Sequence, residues 1–369
     1  MALHVKPLKM KPLKVKELVS KGKQLAQDHP LPLARKADEP TAEDIRVTNE
    51  TVAARREEVL KGARKYIYPL QASKRRIVKL SIAIFATVII GFSIFCLLEL
   101  YRFQSTSSFI YGVTQVVPFP VAVIDKHPVS YNDYLFELRH YMHYYETQQH
   151  ANFDTKDGQQ QLAVFKQRSL DQTLQNAYVQ QLAAQNNISV SSKDIDTAVE
   201  LVRSQNRLGA SDQVFQNVLS EFWGWSVDDF RRELSSELLA QKVADKLDIA
   251  THDRANLALQ QLQAGADFAT VAKQASDDTT TKANGGSYGI PIDKSNADLA
   301  PQVIEALFNL SGGQYSGIVN AGYSLEIVKV IDVQGSQLHA AHMSFNFQPI
   351  TAFTAPIEKK EPAFRLVHV

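Results

Sequence analysis

An α+β fold behind a single membrane-crossing helix is what this sequence predicts, and three observations carry the prediction. Leu80 to Leu98 is an uncharged, strongly apolar run. Between about residues 130 and 247, several stretches place apolar side chains at helical spacing. From Gly285 onward glycine pairs punctuate the chain, and Tyr323 to Val333 alternates as a strand does. At 369 residues the chain is long enough for two globular domains and further segments.

The charge is distributed unevenly. Residues 1–79 hold 19 Lys/Arg against 9 Asp/Glu, whereas the rest holds 21 Lys/Arg against 30 Asp/Glu. Such asymmetry implies that the two parts face different surroundings. The 19-residue run Leu80–Leu98 divides them and is close to the ~20 residues a helix needs to cross the hydrocarbon core. Lys74, Arg75, Arg76 and Lys79 flank one end, and Glu99, Tyr101 and Arg102 the other. The positive-inside bias places 1–79 in the cytoplasm and 102–369 outside it, as a single-pass protein held in the lipid bilayer. A cleaved signal peptide fits less well, because the apolar core is far from the N-terminus and no small-residue cleavage site follows it. The only cysteine, Cys96, lies inside the run, so the exported part holds no disulfide.

The tail opens with the repeats Lys6-Pro-Leu-Lys9 and Lys11-Pro-Leu-Lys14, and residues 1–45 read as largely disordered. Asn49 to Tyr66 has weak helical spacing through Val52, Val59 and Leu60. The tail's charge fits attraction to anionic lipid or nucleic acid. A solvated topology signal is the preferred reading, and nucleic acid is not among the expected partners.

Beyond the apolar run, Gln104 to Val117 reads as a polar and aromatic linker, Pro120–Ile124 as a strand and Asp125–Pro128 as a turn. Ser130 is placed to cap a helix, with Asp133 three residues on. Further helices are expected over about 160–185, 192–206 and 226–246, the last capped by Ser226-Val-Asp-Asp229. Phe222-Trp-Gly-Trp225 has two readings, an apolar groove for client segments or a packing contact at a helix end.

Val121-Ala-Val-Ile-Asp-Lys-His-Pro-Val-Ser-Tyr-Asn-Asp133, Leu170 to Leu182 and Asn187 to Ile195, taken in this order, resemble the N-terminal chaperone module of the SurA and PrsA/PpiD-like foldases. The resemblance covers roughly residues 119–247. Next come Phe268-Ala-Thr-Val-Ala-Lys-Gln-Ala-Ser-Asp277-Asp278, Gly285-Gly286-Ser-Tyr-Gly289, Ala306-Leu-Phe308-Asn-Leu-Ser-Gly-Gly313 and Gly322-Tyr323. Their order and spacing resemble the parvulin-type peptidyl-prolyl isomerase domain. That resemblance implies a helix-rich segment feeding a small antiparallel sheet. Here the helices are expected from Asp253 to Gly265, Asp267 to Ala275 and Ala300 to Leu310.

The resemblance also assigns site residues. Asp278 falls where the family places an active-site Asp or Cys. Leu299 stands at a pocket Met, Val303 at a pocket Phe, and Phe308 matches the family Phe. Ser324 falls where the family supplies a histidine. The family's opening strand also carries a His, and Lys246 to His252 is a poor match to it. Leu338-His-Ala-Ala-His342-Met-Ser-Phe345 matches it well, with His342 at the family His. Two arrangements could account for this: the start of a second, truncated repeat, or a hairpin with 323–333 that supplies the missing strand and makes the domain circularly permuted. Only residues 346–369 remain, too few for a second domain, and Gln334-Gly-Ser-Gln337 suits a hairpin, so the hairpin is expected. Phe364–Val369 alternates like a strand and is expected to pair near Val121–Ile124.

The expected organisation is therefore a basic tail (1–79), a transmembrane helix (80–101), a chaperone module (119–250), a parvulin-like domain (251–345) and a C-terminal segment returning to the module (346–369). Isomerisation of X-Pro bonds in unfolded or exported polypeptides needs no cofactor. No metal site is expected either, since His339 and His342 have no cysteine or carboxylate cluster beside them in sequence, and His140 and His143 lie on a Tyr-rich helix. Three readings of function stay open: an isomerase with Asp278, Ser324 and His342 in its polar site and Leu299, Val303 and Phe308 in its pocket; a holdase that kept the fold and lost most catalysis; and an envelope scaffold whose basic tail recruits a cytoplasmic or membrane partner.

Overall fold

The computed structural model describes residues 48–67, 70–205 and 211–368. The chain divides into two units, Met1–Ile89 and Ile90–Val369. In the first, α1 (Asn49–Ile67) forms where weak helical spacing was expected; residues 1–45 lie outside the described residues. Helix α2 (Leu70–Leu97) carries the apolar run. Over Ile77–Arg102 it is long and apolar enough to cross a membrane, and almost all of its side chains there are uncovered.

In the second unit α2 ends in a π-helical turn, Leu98–Arg102, that enters the folded core. Leu100 is fully buried among Val121, Tyr131 and Leu135. The Tyr131 hydroxyl donates to the Leu100 carbonyl at 2.6 Å, and the Tyr101 hydroxyl donates to the Pro120 carbonyl at 2.6 Å. The expected linker over 104–117 is instead mostly helix α3 (Ser108–Val116). Ser107 caps it by accepting from the Ile110 N–H, and Ile110 and Thr114, one turn apart, bury its inner face. Arg139 fixes it from outside, donating to the Thr106 carbonyl and lying over the Tyr111 ring.

Strand β1 (Pro120–Ile124) forms as expected, but the turn after it is only Asp125–Lys126, with Asp125 in the left-handed region at φ 52°. The chain resumes as β2 (His127–Ser130), antiparallel to β1. The short C-terminal β6 (Phe364–Arg365) pairs on the other side of β1, Ala122 opposite Arg365 and Val123 opposite Phe364. The C-terminus therefore returns to the first strand, as its alternation predicts.

Five helices complete the module: α4 (Tyr131–Gln148), α5 (Lys156–Gln185), α6 (Ser192–Gln205), α7 (Asp212–Trp223) and α8 (Val227–Leu247). Ser130 caps α4 by accepting from the Asn132 N–H, while Asp133 is turned to an ion pair with Arg232 on α8. The capping box at Ser226 and Asp229 is complete. Helix α7 has no counterpart among the sequence expectations; it ends at Gly224, which is left-handed at φ 67° and leaves no room for a side chain beside His143. Trp225, just beyond, stacks on Phe136 at 5.6 Å and on His140 at 4.6 Å. The Phe222–Trp225 cluster is thus a packing contact at a helix end rather than an open groove.

The second half of this unit begins with α9 (Ile249–Gln263), four residues before the expected start, because Asp248 caps it through the Thr251 N–H and hydroxyl. Helix α10 (Phe268–Ala275) and helix α11 (Pro301–Phe308) follow as expected. The sheet is antiparallel in the order β3 (Val319–Asn320), β4 (Ser324–Gln334), β5 (Gln337–Asn346). β4 and β5 form the anticipated hairpin, with Val328 opposite His342 and Ile327 opposite Met343. Directly opposed residues share a face. One face puts Leu325, Ile327, Met343 and Phe345 against α9 and α10. The other puts Val328, Val330, Leu338 and Ala340 against Val303 and Leu307 of α11. Helix α12 (Ile350–Lys360) then lays Ile350, Phe353 and Ile357 back on α5 and α8.

Tyr131→Phe tests how firmly the apolar helix is joined to the core. Losing the bond to the buried Leu100 carbonyl is expected to cost about 1–3 kcal/mol, read as a lower denaturation midpoint with an unchanged slope.

Candidate functional site

The site grows from the loop between α10 and the glycine pair. Ser276 and Asp277 pin it to β5: the Ser276 hydroxyl accepts from the Ser344 N–H at 3.1 Å, and the Asp277 N–H donates to the Ser344 carbonyl at 2.7 Å. Arg254 holds the Asp277 carboxylate from the side at 2.7 and 2.9 Å. With its neighbours fixed, Asp278 turns toward the other sheet face.

There Asp278 Oδ2 meets His342 Nε2 at 2.9 Å, although 64 residues separate them. The Thr281 hydroxyl donates to the same Oδ2 at 2.6 Å and lies 3.1 Å from Nε2, and the Thr280 N–H donates to Oδ1 at 2.9 Å. On the far side of the ring, Nδ1 lies 3.1 Å from Glu326 Oε2. A carboxylate oxygen faces each ring nitrogen, so an imidazolium donating on both sides satisfies all four atoms. Tyr288 stacks over the ring, with centroids 4.4 Å apart and planes inclined by 23°.

The electrostatics follow from these contacts. Burial alone would lower the His342 value, but the hydrogen bond and charge of Glu326, then those of Asp278, hold it above the ordinary one. Burial would raise the Asp278 value, yet the bonds from Thr281, Thr280 and His342 take it down to about 2. Burial, reinforced by Glu326 and Asp278, pushes the Tyr288 phenol far above its usual range, so it stays protonated. Its hydroxyl is buried and has no hydrogen-bond partner among the described residues.

Gly286 makes the arrangement possible. Its carbonyl accepts from the His342 N–H at 2.9 Å, its φ is +84°, and a Cβ there would sit 2.1 Å from the His342 carbonyl oxygen. From this contact the chain runs along β5, with Tyr288 N–H donating to Ala340 and Ile292 exchanging bonds with Leu338.

Of the residues singled out from sequence, the structure brings Asp278 and His342 together. Ser324 is not in contact with them; its hydroxyl lies 3.4 Å from Glu326 Oε1, at the edge of the network. Leu299, Val303 and Phe308 share one apolar cluster with Tyr288 on the His342 side of the sheet. Within it Val303 is 1% exposed and belongs to the interior, while Leu299 and Phe308 are half covered, the latter with Lys294 over its ring. Sequence reasoning missed Glu326, Thr281 and Tyr288. Glu326 had a signal: it is a charge between Leu325 and Ile327, two residues from Val328 and therefore on the face that His342 shares. Among the described residues, no group of three His, Cys, Asp or Glu side chains could hold a metal ion.

Two family models match overlapping stretches of the chain. The SurA-like N-terminal domain model matches residues 71–244, and the PPIC-type PPIASE domain model matches residues 238–332. The chain is 26% identical over 266 residues to the chaperone SurA of Albidiferax ferrireducens, covering 60% of this chain and 56% of that one. It is 26% identical over 192 residues to the foldase protein PrsA of Caldanaerobacter subterraneus subsp. tengcongensis, covering 47% and 58%. The chain thus spans just over half the length of these curated relatives. A crystal structure of the peptidylprolyl isomerase PrsA from Bacillus anthracis aligns over 52% of this chain and 86% of that one, at 21% identity and a TM-score of 0.17.

Two predictions follow from the clamp. Gly286→Ala is expected to destabilise by at least about 1–3 kcal/mol, because strain at positive φ adds to the collision with the His342 carbonyl; chemical denaturation measures it. The second concerns pH. With its folded value raised, His342 adds stability that is fully present below 6.5 and is lost as pH rises through the raised value. With its value lowered, Asp278 adds stability that is present above 3.8 and lost as pH falls through about 2. The combined contribution of the two groups is therefore expected to be greatest between 3.8 and 6.5, and Glu326→Gln to be most destabilising in that window, flattening the decline toward alkaline pH in a melting series.

Proposed function

From a chain in which a SurA-like N-terminal domain leads into a PPIC-type domain, we propose a membrane-anchored foldase that isomerises X-Pro bonds in unfolded polypeptides. The basic segment before Leu80 faces the cytoplasm, and the folded unit acts on exported chains on the other side. The uneven charge across the apolar helix supports that orientation.

The observation that carries this reading is the Asp278–His342–Glu326 network set against the apolar cluster of Tyr288, Leu299 and Val303. Rotation about an X-Pro bond faces a barrier of roughly 18–20 kcal/mol and exchanges uncatalysed over ~10–100 s. No nucleophile is required. A catalyst needs only to favour the twisted amide over the planar one. In the planar amide, resonance places partial negative charge on the carbonyl oxygen; twisting withdraws it and returns the lone pair to nitrogen. A fixed carboxylate beside that oxygen penalises the planar form more than the twisted one. Asp278 suits this role, being ionised well below neutral pH and, at 23% side-chain exposure, the most accessible member of the network. His342 and Thr281 keep it in place.

The holdase reading has its own observation. Val303, at the position of a pocket aromatic, is buried, and Tyr288 lies directly over the imidazole. A site covered in this way suits a fold kept as a binding surface.

The test is proline isomerisation by the full chain in nanodiscs, because a cut after the apolar helix would remove Leu100 from the core. The isomerase reading expects Xaa-Pro peptides to be turned over and Asp278→Ala to lose at least tenfold, equivalent to about 1.4 kcal/mol. Equal rates for wild type and variant at the uncatalysed level, together with suppression of client aggregation, would instead support the holdase.

A further inference from the structure

We propose that α3, anchored by Phe109 and Val116 together with Phe103 in the segment before it, lies in the interfacial zone of the bilayer and holds the folded unit flat against the membrane. The proposal rests on reading Ile77–Arg102 as a membrane span.

The first support is exposure. Phe103 is 64% exposed, Phe109 59% and Val116 82%, while the opposite face of α3 is sealed by Ile110 and Thr114. A short helix with one face in the core and aromatic and branched side chains on the other presents an apolar surface outward.

The second is depth. Counting about 20 residues at 1.5 Å each from Leu80, the first residue after Lys79, brings the far edge of a ~30 Å core to Glu99, the next charged residue. Phe92 then lies about 10 Å inside that edge. The Phe109 ring packs edge-on against Phe92, with centroids 6.4 Å apart. The chain therefore leaves the span at Arg102, folds back and sets α3 beside its last turns. Leu97 and Leu98, at the end of the apolar helix, are also uncovered and are lipid-facing if that helix crosses a bilayer.

The third is the backbone. In a lipid environment unpaired N–H and C=O groups are costly. Here the Phe103 N–H donates to Leu98, Ser105 to Glu99, Tyr111 to Ser107 and Val117 to Val113, while the Ser107 hydroxyl serves Ile110 and Arg139 serves the Thr106 carbonyl. A polar linker at this place would be left in water; much of this segment's backbone is instead paired within the protein.

The join is also stiff. Leu100 and Cys96 are buried, and Tyr101 and Tyr131 bond across the junction. A span fused to the module in this manner fixes which side of the folded unit meets the lipid.

The experiment places a bimane label at single introduced cysteines in the full chain, reconstituted in nanodiscs with and without brominated phosphatidylcholine. Positions are Phe109→Cys, Val116→Cys, Ile90→Cys within the span and Val333→Cys at the tip of the β4–β5 hairpin; wild type, whose own cysteine is buried, gives the labelling background. All four sites are exposed, so the variants retain the core. The proposal expects brominated lipid to quench the labels at 109 and 116 to within about twofold of the label at 90, and to leave 333 unchanged. Strong quenching at 90, with 109 and 116 behaving like 333, overturns it while the span survives. No quenching at 90 overturns the span, and the proposal with it.

Discussion

The pairing of β4 with β5 is the interaction on which the rest of the parvulin-like half depends. It is made late in the chain, across a two-residue turn, and it does two things at once. Because opposed residues share a face, a single register sends Leu325, Ile327, Met343 and Phe345 to α9 and α10 and sends Val328, Val330 and Ala340 to α11. The same register puts His342 opposite Val328, one step along from Glu326. A slip of one residue would turn His342 into the α9–α10 core and Met343 toward the carboxylates. Burial of two apolar faces therefore fixes the polar site as well.

Within that frame the imidazole is confined from every side. Asp278 and Thr281 hold one nitrogen, Glu326 the other, Tyr288 covers a face, and the Gly286 carbonyl takes the backbone N–H. Two carboxylates around one imidazolium leave the site with a net negative charge. Asp278 stays ionised although partly buried because hydrogen-bond donors, rather than water, solvate it. For the isomerisation we propose, preorganisation of this kind is the relevant property, since the only quantity to be altered is the relative stability of two amide geometries.

Much of the architecture was legible in the sequence. The apolar run, the capping serines at 130 and 226, the hairpin and the return of Phe364–Arg365 to β1 all follow from local patterns with direct physical meaning. The misses have physical reasons too. The α3 segment reads as a linker because its polar residues, Thr106 to Ser108, serve as a cap and its packing partners Leu100 and Arg139 are distant or unremarkable in sequence. Helix α7 is short and buries only Phe215 and Leu219, too sparse a stripe to stand out as helical periodicity. At the site, Asp278 and His342 could be matched by resemblance, but Glu326 and Tyr288 act through register and stacking, which only the folded sheet displays. Ser324, matched by its place after Gly322-Tyr323, lies two residues from the position that faces His342.

The central claim is that His342 is an imidazolium clamped between two carboxylates, and nitrogen-detected NMR of the histidine rings tests it most directly. The account predicts that His342 titrates with a midpoint above the ordinary 6.5, both ring nitrogens being protonated below it, and that this midpoint falls in Glu326→Gln and in Asp278→Asn. A midpoint at or below the ordinary value, unmoved by either substitution, would contradict it.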